Sequence, residues 1–199
     1  MTEFSTGTLL LRGAAVIVLI AVNAFFVAAE FALVASRRTR VEAMVRKGDR
    51  KAKTVQIALQ DLYRQLSAAQ LGITVASILL GYVAEDTVAV VLHGWVAGLP
   101  PVLAFLGRGA LMSVVAVSII SFLHVVVGEQ APKALAITYP EITSRWIAAP
   151  LLFFSWITRP ATNTLNWSAN LLVRSLGLKS ATPELEGIHS PEEIVMLLK

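Results

Sequence analysis

The chain of 199 residues contains no cysteine. Disulfides, thiolate metal sites and thiol nucleophiles are therefore excluded. Charge is scarce as well. Asp, Glu, Lys and Arg make up 15% of the residues against 56% hydrophobic, and mean hydropathy is +0.69. A water-facing surface on a domain of this size needs far more charge than that. A bilayer removes the need, because lipid accepts apolar side chains over an outer face. The chain also lacks paired histidines for zinc, a glycine-rich loop that would cradle phosphate, and a Ser/His/Asp set. Enzyme chemistry is not expected, and neither internal repeats nor low-complexity segments are seen.

The charge that is present lies unevenly. A net charge of +4 and a pI near 9.7 would ordinarily raise nucleic acid as a partner. Here nine of the seventeen Lys and Arg fall between Arg37 and Arg64, against the three acids Glu42, Asp49 and Asp61. So local an excess points to a membrane surface instead, and no nucleic-acid partner is expected.

An all-α membrane fold with three crossings is expected, at about residues 9–35, 66–84 and 110–131, since a span needs about 20 apolar residues. The first run is too long for the apolar region of a signal peptide and has no basic segment before it, so it reads as a retained helix. The basic 37–64 loop belongs inside by the positive-inside rule, which puts the N-terminus outside and the C-terminus inside. The 93–108 loop, with the single basic residue Arg108 and the turn-like Gly98-Leu99-Pro100-Pro101, then lies outside. Val41, Met44, Val45, Val55, Ile57, Leu59 and Leu62 make the basic loop helical in part, lying on an anionic leaflet.

After the third span, Trp146 to Ile157 is apolar but short, with Pro150 and Pro160 bracketing it. Ala161 to Leu176 sets Leu165, Ser168, Leu172 and Leu176 along one face. Two juxtamembrane helices at about 141–176 are expected, with a fourth crossing as the competing reading. Residues 179–199 read as a polar linker followed by the opening of a helix at Ser190-Pro191-Glu192-Glu193, the entry to a further cytoplasmic domain.

Ionisable groups at membrane depth are costly and mark function by default. Glu30 and Glu129 are the two that matter. Glu30 reads equally well as an interface carboxylate paired with an arginine near Arg37, or as part of an inward stripe with Asn23 seven residues earlier. Glu129 is favoured more strongly. Pro132 lacks an N–H, so the carbonyl of Gly128 loses its helical partner, and a freed carbonyl beside a carboxylate at a helix break offers two hard oxygens. Ser118 is eleven residues before Glu129 and, on a regular helix, shares its face. On the second span Ser67, Gln70, Thr74, Ser77 and Gly81 follow one helical face, which suits close packing or neutral ion ligands. Ser121 on the third span fits either role. His124 falls about 140° around from Glu129 on an α-helix and reads as a packing or hydrogen-bonding residue rather than a ligand.

The run Asn23-Ala24-Phe25-Phe26-Val27-Ala28-Ala29-Glu30-Phe31-Ala32-Leu33, then Gln70-Leu71-Gly72, then Gly128-Glu129-Gln130-Ala131-Pro132-Lys133, resembles the transmembrane domain of the cyclin M/CorC family of bacterial magnesium and cobalt efflux, haemolysin-like proteins. The resemblance covers roughly residues 5 to 180. It implies a homodimer of three-helix subunits with a juxtamembrane belt in the cytoplasmic membrane, followed by a pair of nucleotide-binding CBS modules. It also implies magnesium export coupled to sodium entry. The magnesium would be held by oxygens of the first two helices, Gly72 among their positions, and by the glutamate matching Glu129. The chain departs from that pattern at Val27, where magnesium-transporting members carry serine, and at Ile73, where they carry asparagine. Thr74, Ser77 or Glu30 would have to compensate. The leading expectation is a cation exporter with Glu129 at its centre, helped by Gly128, Ser118, Thr74 and Ser77. The alternatives are a non-transporting anchor for the nucleotide-sensing module, or an exporter of another cation such as a polyamine.

Overall fold

The computed structural model describes the backbone of residues 6–96 and 109–176, and their side chains except at 6, 85, 86, 88–96 and 109–113. The expected external turn at 98–101, Arg108 and the segment from 177 to 199, with its N-cap at Ser190, lie outside the described residues. Among those residues there is no strand. In chain order the elements are α1 (Thr6–Ala35), α2 (Arg38–Arg46), α3 (Arg50–Gln60), α4 (Leu62–Val96), α5 (Gly109–Leu123), a π-helical segment (His124–Gln130), α6 (Ala131–Thr138), α7 (Pro140–Ile157) and α8 (Arg159–Ser175). Three stretches are long and apolar enough to cross a membrane: Gly7–Ala35, Leu62–Ala84 and Val114–Thr138.

The third span passes through Pro132 instead of ending near Ala131. Proline cannot donate to a carbonyl four residues back, but it sits in the first turn of α6, where no such bond is required. The preceding residues absorb the mismatch by widening into a π turn, with the Ala131 N–H reaching the carbonyl of Val126, five residues back. The expected helix break is therefore a change of helical pitch. Pro150 likewise lies inside α7 instead of bracketing it, in a stretch held on either side by buried Ile147, Ala148 and Leu151.

Helix α1 is the centre of the bundle, packing against α4, the π segment, α6 and α7. Its apolar contacts fall into two groups. Near the α2–α3 end, Phe26, Ala29, Ala32 and Leu33 meet Val41, Val55, Leu59, Ala69, Ala136, Ala148 and Leu151. Towards the other end, Val16 meets Leu80 and Ala84. Outward faces carry exposed Ile17, Val18, Ile78, Leu79, Val114 and Phe122, as lipid contact requires.

The basic loop folds as a helical hairpin. Helix α2 ends at Gly48, whose φ of 86° is the left-handed conformation of a C-terminal cap, with its N–H bonding the carbonyl of Val45. Asp49 then caps α3, accepting from the N–H groups of Lys51 and Ala52 at 2.9 and 3.2 Å. Asp49 also pairs with Arg145 of α7 at 2.8 Å, while Arg40 reaches Glu141 at 3.1 Å and the Lys51 ammonium lies 3.5 Å from the centre of the Trp146 ring. These contacts fasten the hairpin to α7.

The chain divides at Ile157 into two compact units. In the second, α8 is stabilised at its start by Thr162, whose hydroxyl donates to the carbonyls of Thr158 and Arg159. Its Leu165, Leu172 and Leu176 are exposed along one face, as the sequence periodicity predicts.

Candidate functional site

A polar layer separates the two apolar groups. Asn23, fully buried on α1, donates from its side-chain amide to the carbonyl of Gly128 at 3.1 Å. Its own carbonyl accepts from the Ser77 hydroxyl of α4 at 3.3 Å. Ser77 in turn lies 3.4 Å from Nε2 of His124, and that nitrogen lies 3.7 Å from Oε1 of Glu129. Five residues from all three spans thus form one connected cluster. Asn23 is about twelve residues, or about 18 Å, from Ala35, which sets the cluster near the middle of the span.

Local sequence explains the arrangement. Pro132 denies the Gly128 carbonyl an α-helical donor, and Asn23 supplies one across the helix interface. A Cβ on residue 128 would stand 2.9 Å from the His124 ring and 3.4 Å from the Asn23 amide nitrogen, so only glycine permits this approach. The π turn also changes which residues share a face. His124 and Glu129 are five apart, and the i to i+5 repeat brings them together. An α-helical reading puts His124 on the far side and misses its place beside the carboxylate. The signal available in the sequence was Pro132 itself, four residues past Gly128.

The same change of pitch removes Ser118 from the Glu129 face. Its hydroxyl bonds back to the carbonyl of Val114 at 2.7 Å and the residue is exposed, as is Ser121. On α4, Thr74 is exposed and bonds back to the carbonyl of Gln70 at 2.9 Å, and Gln70 is exposed too. Ser67 is half-buried, ten residues before Ser77. Of the α4 stripe, Ser77 is the residue that meets Asn23 and His124.

Gly72 has a packing role. A Cβ there would meet the Phe26 ring at 2.6 Å, and Phe26 is itself locked against Phe25 and Phe154. Glu30 lies about 10 Å along α1 from Asn23, near the end of the span where the Lys133 ammonium lies 4.6 Å from the Phe31 ring centre. It stands apart from the central cluster. Val27 is buried and Ile73 packs against the larger apolar group, so both family-implied ligand positions are apolar in space as well as in sequence. Among the described residues no three of His, Asp and Glu converge. The central cluster is instead one carboxylate, one imidazole, one hydroxyl, one carboxamide and one backbone carbonyl.

Residues 14–199 match the family model of the cyclin M transmembrane N-terminal domain. Similar proteins include the UPF0053 protein YhdT of Bacillus subtilis, 44% identical over 91% of this chain and 39% of its own length. The uncharacterized protein Rv1841c of Mycobacterium tuberculosis is 39% identical over 82% of this chain and 46% of its own length. The UPF0053 protein sll0260 of Synechocystis is 32% identical over 92% of this chain and 40% of its own length. The chain therefore spans less than half the length of these curated relatives.

Proposed function

We infer the function from one premise: the chain belongs to the family of the cyclin M transmembrane N-terminal domain. Three apolar helices make it a multi-pass membrane protein in contact with lipid. On that premise the chain is a divalent-cation exporter of the bacterial cytoplasmic membrane, with its basic α2–α3 hairpin inside, its two C-terminal helices at the membrane surface and two copies forming the working unit. Magnesium is the first ion to test, with sodium entering in exchange. CBS modules beyond this domain would supply nucleotide control.

One observation carries this reading. Asn23, Ser77, Gly128, His124 and Glu129 join at mid-span, where polar groups are costly unless they serve a ligand or a partner. Irregular backbone at that depth is tolerated where it lines a cavity, and π turns recur at functional sites. Glu129 is the anionic ligand, and the Gly128 carbonyl and Ser77 hydroxyl are neutral ones, freed when Asn23 turns aside. Divalent efflux from loaded liposomes tests it: Glu129→Gln should lose most of the wild-type flux, and equal flux would sink the assignment.

A second reading is a membrane anchor that presents the nucleotide-sensing module without transporting. It is favoured by Val27 and Ile73, which put hydrocarbon where the resemblance implies ligands. Absence of any cation-dependent flux in the wild type, with nucleotide binding intact in the longer protein, would select it.

A further inference from the structure

The outward face of α7 is apolar. Ile142, Trp146, Phe153, Trp156 and Ile157 are exposed and fall within about 100° of arc at 3.6 residues per turn. A stripe of that kind, with aromatic rings in it, suits the boundary between headgroups and acyl chains. At its start the stripe borders a groove of about 380 Å³ lined by Leu135, Tyr139, Ile142, Thr143, Trp146 and Ile147. That volume lies in the range of ligand sites, about 300–1,000 Å³. Leu135 stands in the last turn of the third span, which ends at Thr138, so the groove continues a surface already in contact with lipid. The Thr143 hydroxyl is spent on its own helix, bonding the carbonyl of Tyr139 at 2.9 Å, and the lining is left mostly hydrocarbon.

Positive charge stands at one rim. The Lys51 ammonium lies 3.5 Å from the centre of the Trp146 ring, which is part of the lining. Lys47 and Arg50, its neighbours in the chain, are exposed as well. The acids nearby are already matched, Asp49 by Arg145 at 2.8 Å and Glu141 by Arg40 at 3.1 Å. An apolar cleft beside uncompensated cationic groups is answered by an amphiphile with an anionic head. We propose that the groove binds an anionic phospholipid of the leaflet beside the hairpin, with one acyl chain along Leu135, Ile142 and Ile147 and the phosphate at Lys51. The site goes beyond the transport reading and does not depend on it. It also differs from the general attraction of a basic hairpin to an anionic leaflet, because the groove fixes where the chain lies. A lipid seated there joins α6, α7 and the hairpin, reinforcing the Asp49–Arg145 pair.

The test is native mass spectrometry of the purified chain in neutral detergent, titrated with phosphatidylglycerol and with phosphatidylcholine, for wild type, Lys51→Ala and Ile142→Asp. Wild type should hold phosphatidylglycerol about fivefold more tightly, the effect of one basic group on an anionic head. Lys51→Ala keeps the backbone N–H that Asp49 caps, and should abolish that preference while phosphatidylcholine affinity stays unchanged. Ile142→Asp should weaken both lipids, since it sets a charge in the path of the chain. Equal affinity of the wild type for the two lipids, or binding unchanged in both variants, overturns the site. Glycerol 3-phosphate, a head without chains, should not displace the lipid, and displacement overturns the acyl contact. Lipid-free wild-type dimers that Ile142→Asp turns into monomers assign the groove to a second copy and overturn the lipid site. Should Ile142→Asp fail to fold, Ile142→Ala takes its place: a smaller loss of both lipids supports the groove, and unchanged binding overturns it.

Discussion

The side-chain amide of Asn23 and the backbone carbonyl of Gly128 are joined at 3.1 Å, tying the first span to the third where the helix widens. The bond answers a need created elsewhere, since Pro132 cannot serve that carbonyl. It also makes Asn23 a bridge, for its oxygen accepts from Ser77 on the second span. One residue thus connects all three spans.

Asn23→Ala removes both bonds from a fully buried position and leaves the Gly128 carbonyl without its donor. A loss of about 1–3 kcal/mol is expected, as for a buried polar group deprived of its partner. The thermal midpoint in detergent should fall by several degrees. Asn23→Asp should cost more, because a carboxylate would face the carbonyl oxygen with no proton to donate.

Gly72→Ala places a methyl group 2.6 Å from the Phe26 ring, which has nowhere to retreat between Phe25 and Phe154. Overpacking of this kind costs about 1–3 kcal/mol. The prediction that separates packing from ion binding is rescue: Phe26→Leu combined with Gly72→Ala should be more stable than Gly72→Ala alone. A ligand role for Gly72 gives no such rescue.

How far these relationships can be read from sequence follows the regularity of the helices. The spans at 9–35 and 66–84 are legible because apolar length is set by bilayer thickness, which composition reports directly. The helical hairpin is visible in part through Gly48 and Asp49, whose cap chemistry is local. The polar face of the third span is not legible, because an α-helical projection is wrong after His124. The seven-residue π segment brings His124 to Glu129 and carries Ser118 and Ser121 away. On α4, Ser77 and Thr74 look equivalent on a helical wheel. Only the position of Asn23 on a neighbouring helix distinguishes them.

From that distinction comes a transport prediction. Ser118→Ala, Ser121→Ala and Thr74→Ala alter exposed groups outside the cluster, two of them bonded only to their own helix. Divalent efflux in each should stay within about twofold of wild type, as expected for surface changes that leave the fold intact. Ser77→Ala should lose most of the flux. Equal loss in all four would mean that the faces have been assigned wrongly.

Asp49 caps α3 and pairs with Arg145, so its removal loosens the basic hairpin from α7. Asp49→Ala should cost about 1–2 kcal/mol, mostly from the lost cap. Asp49→Asn keeps the cap and gives up the ion pair, and should cost less than about 1 kcal/mol. Trypsin cleavage at Arg46, Lys47 and Arg50 reads the difference, with Asp49→Ala cut fastest. High salt should narrow the gap between Asp49→Asn and wild type, since only the ion pair is screened.

The Gly128 carbonyl accepts from Asn23 while Pro132 offers it no N–H, and that yields a coupling test. Pro132→Ala restores an N–H four residues ahead, able to claim the carbonyl and to wind the π segment back into an α-helix. In the wild-type background this competes with Asn23, so the cluster should lose its register and cation efflux should fall. With Asn23→Ala already in place the carbonyl has lost the Asn23 amide, and the same Pro132→Ala then supplies an N–H in its stead. The second substitution should therefore cost less stability than in the wild type, or even add some. The coupling between the two positions should reach about 0.5–3 kcal/mol, the range for residues that share a partner. Strict additivity in thermal midpoints would show that Asn23 and Pro132 do not act on one carbonyl. Flux should not recover in the double variant, because Glu129 then turns with the regular helix away from His124. Stability and transport are expected to separate at this pair, since the fold needs only a satisfied carbonyl while the site needs the widened turn.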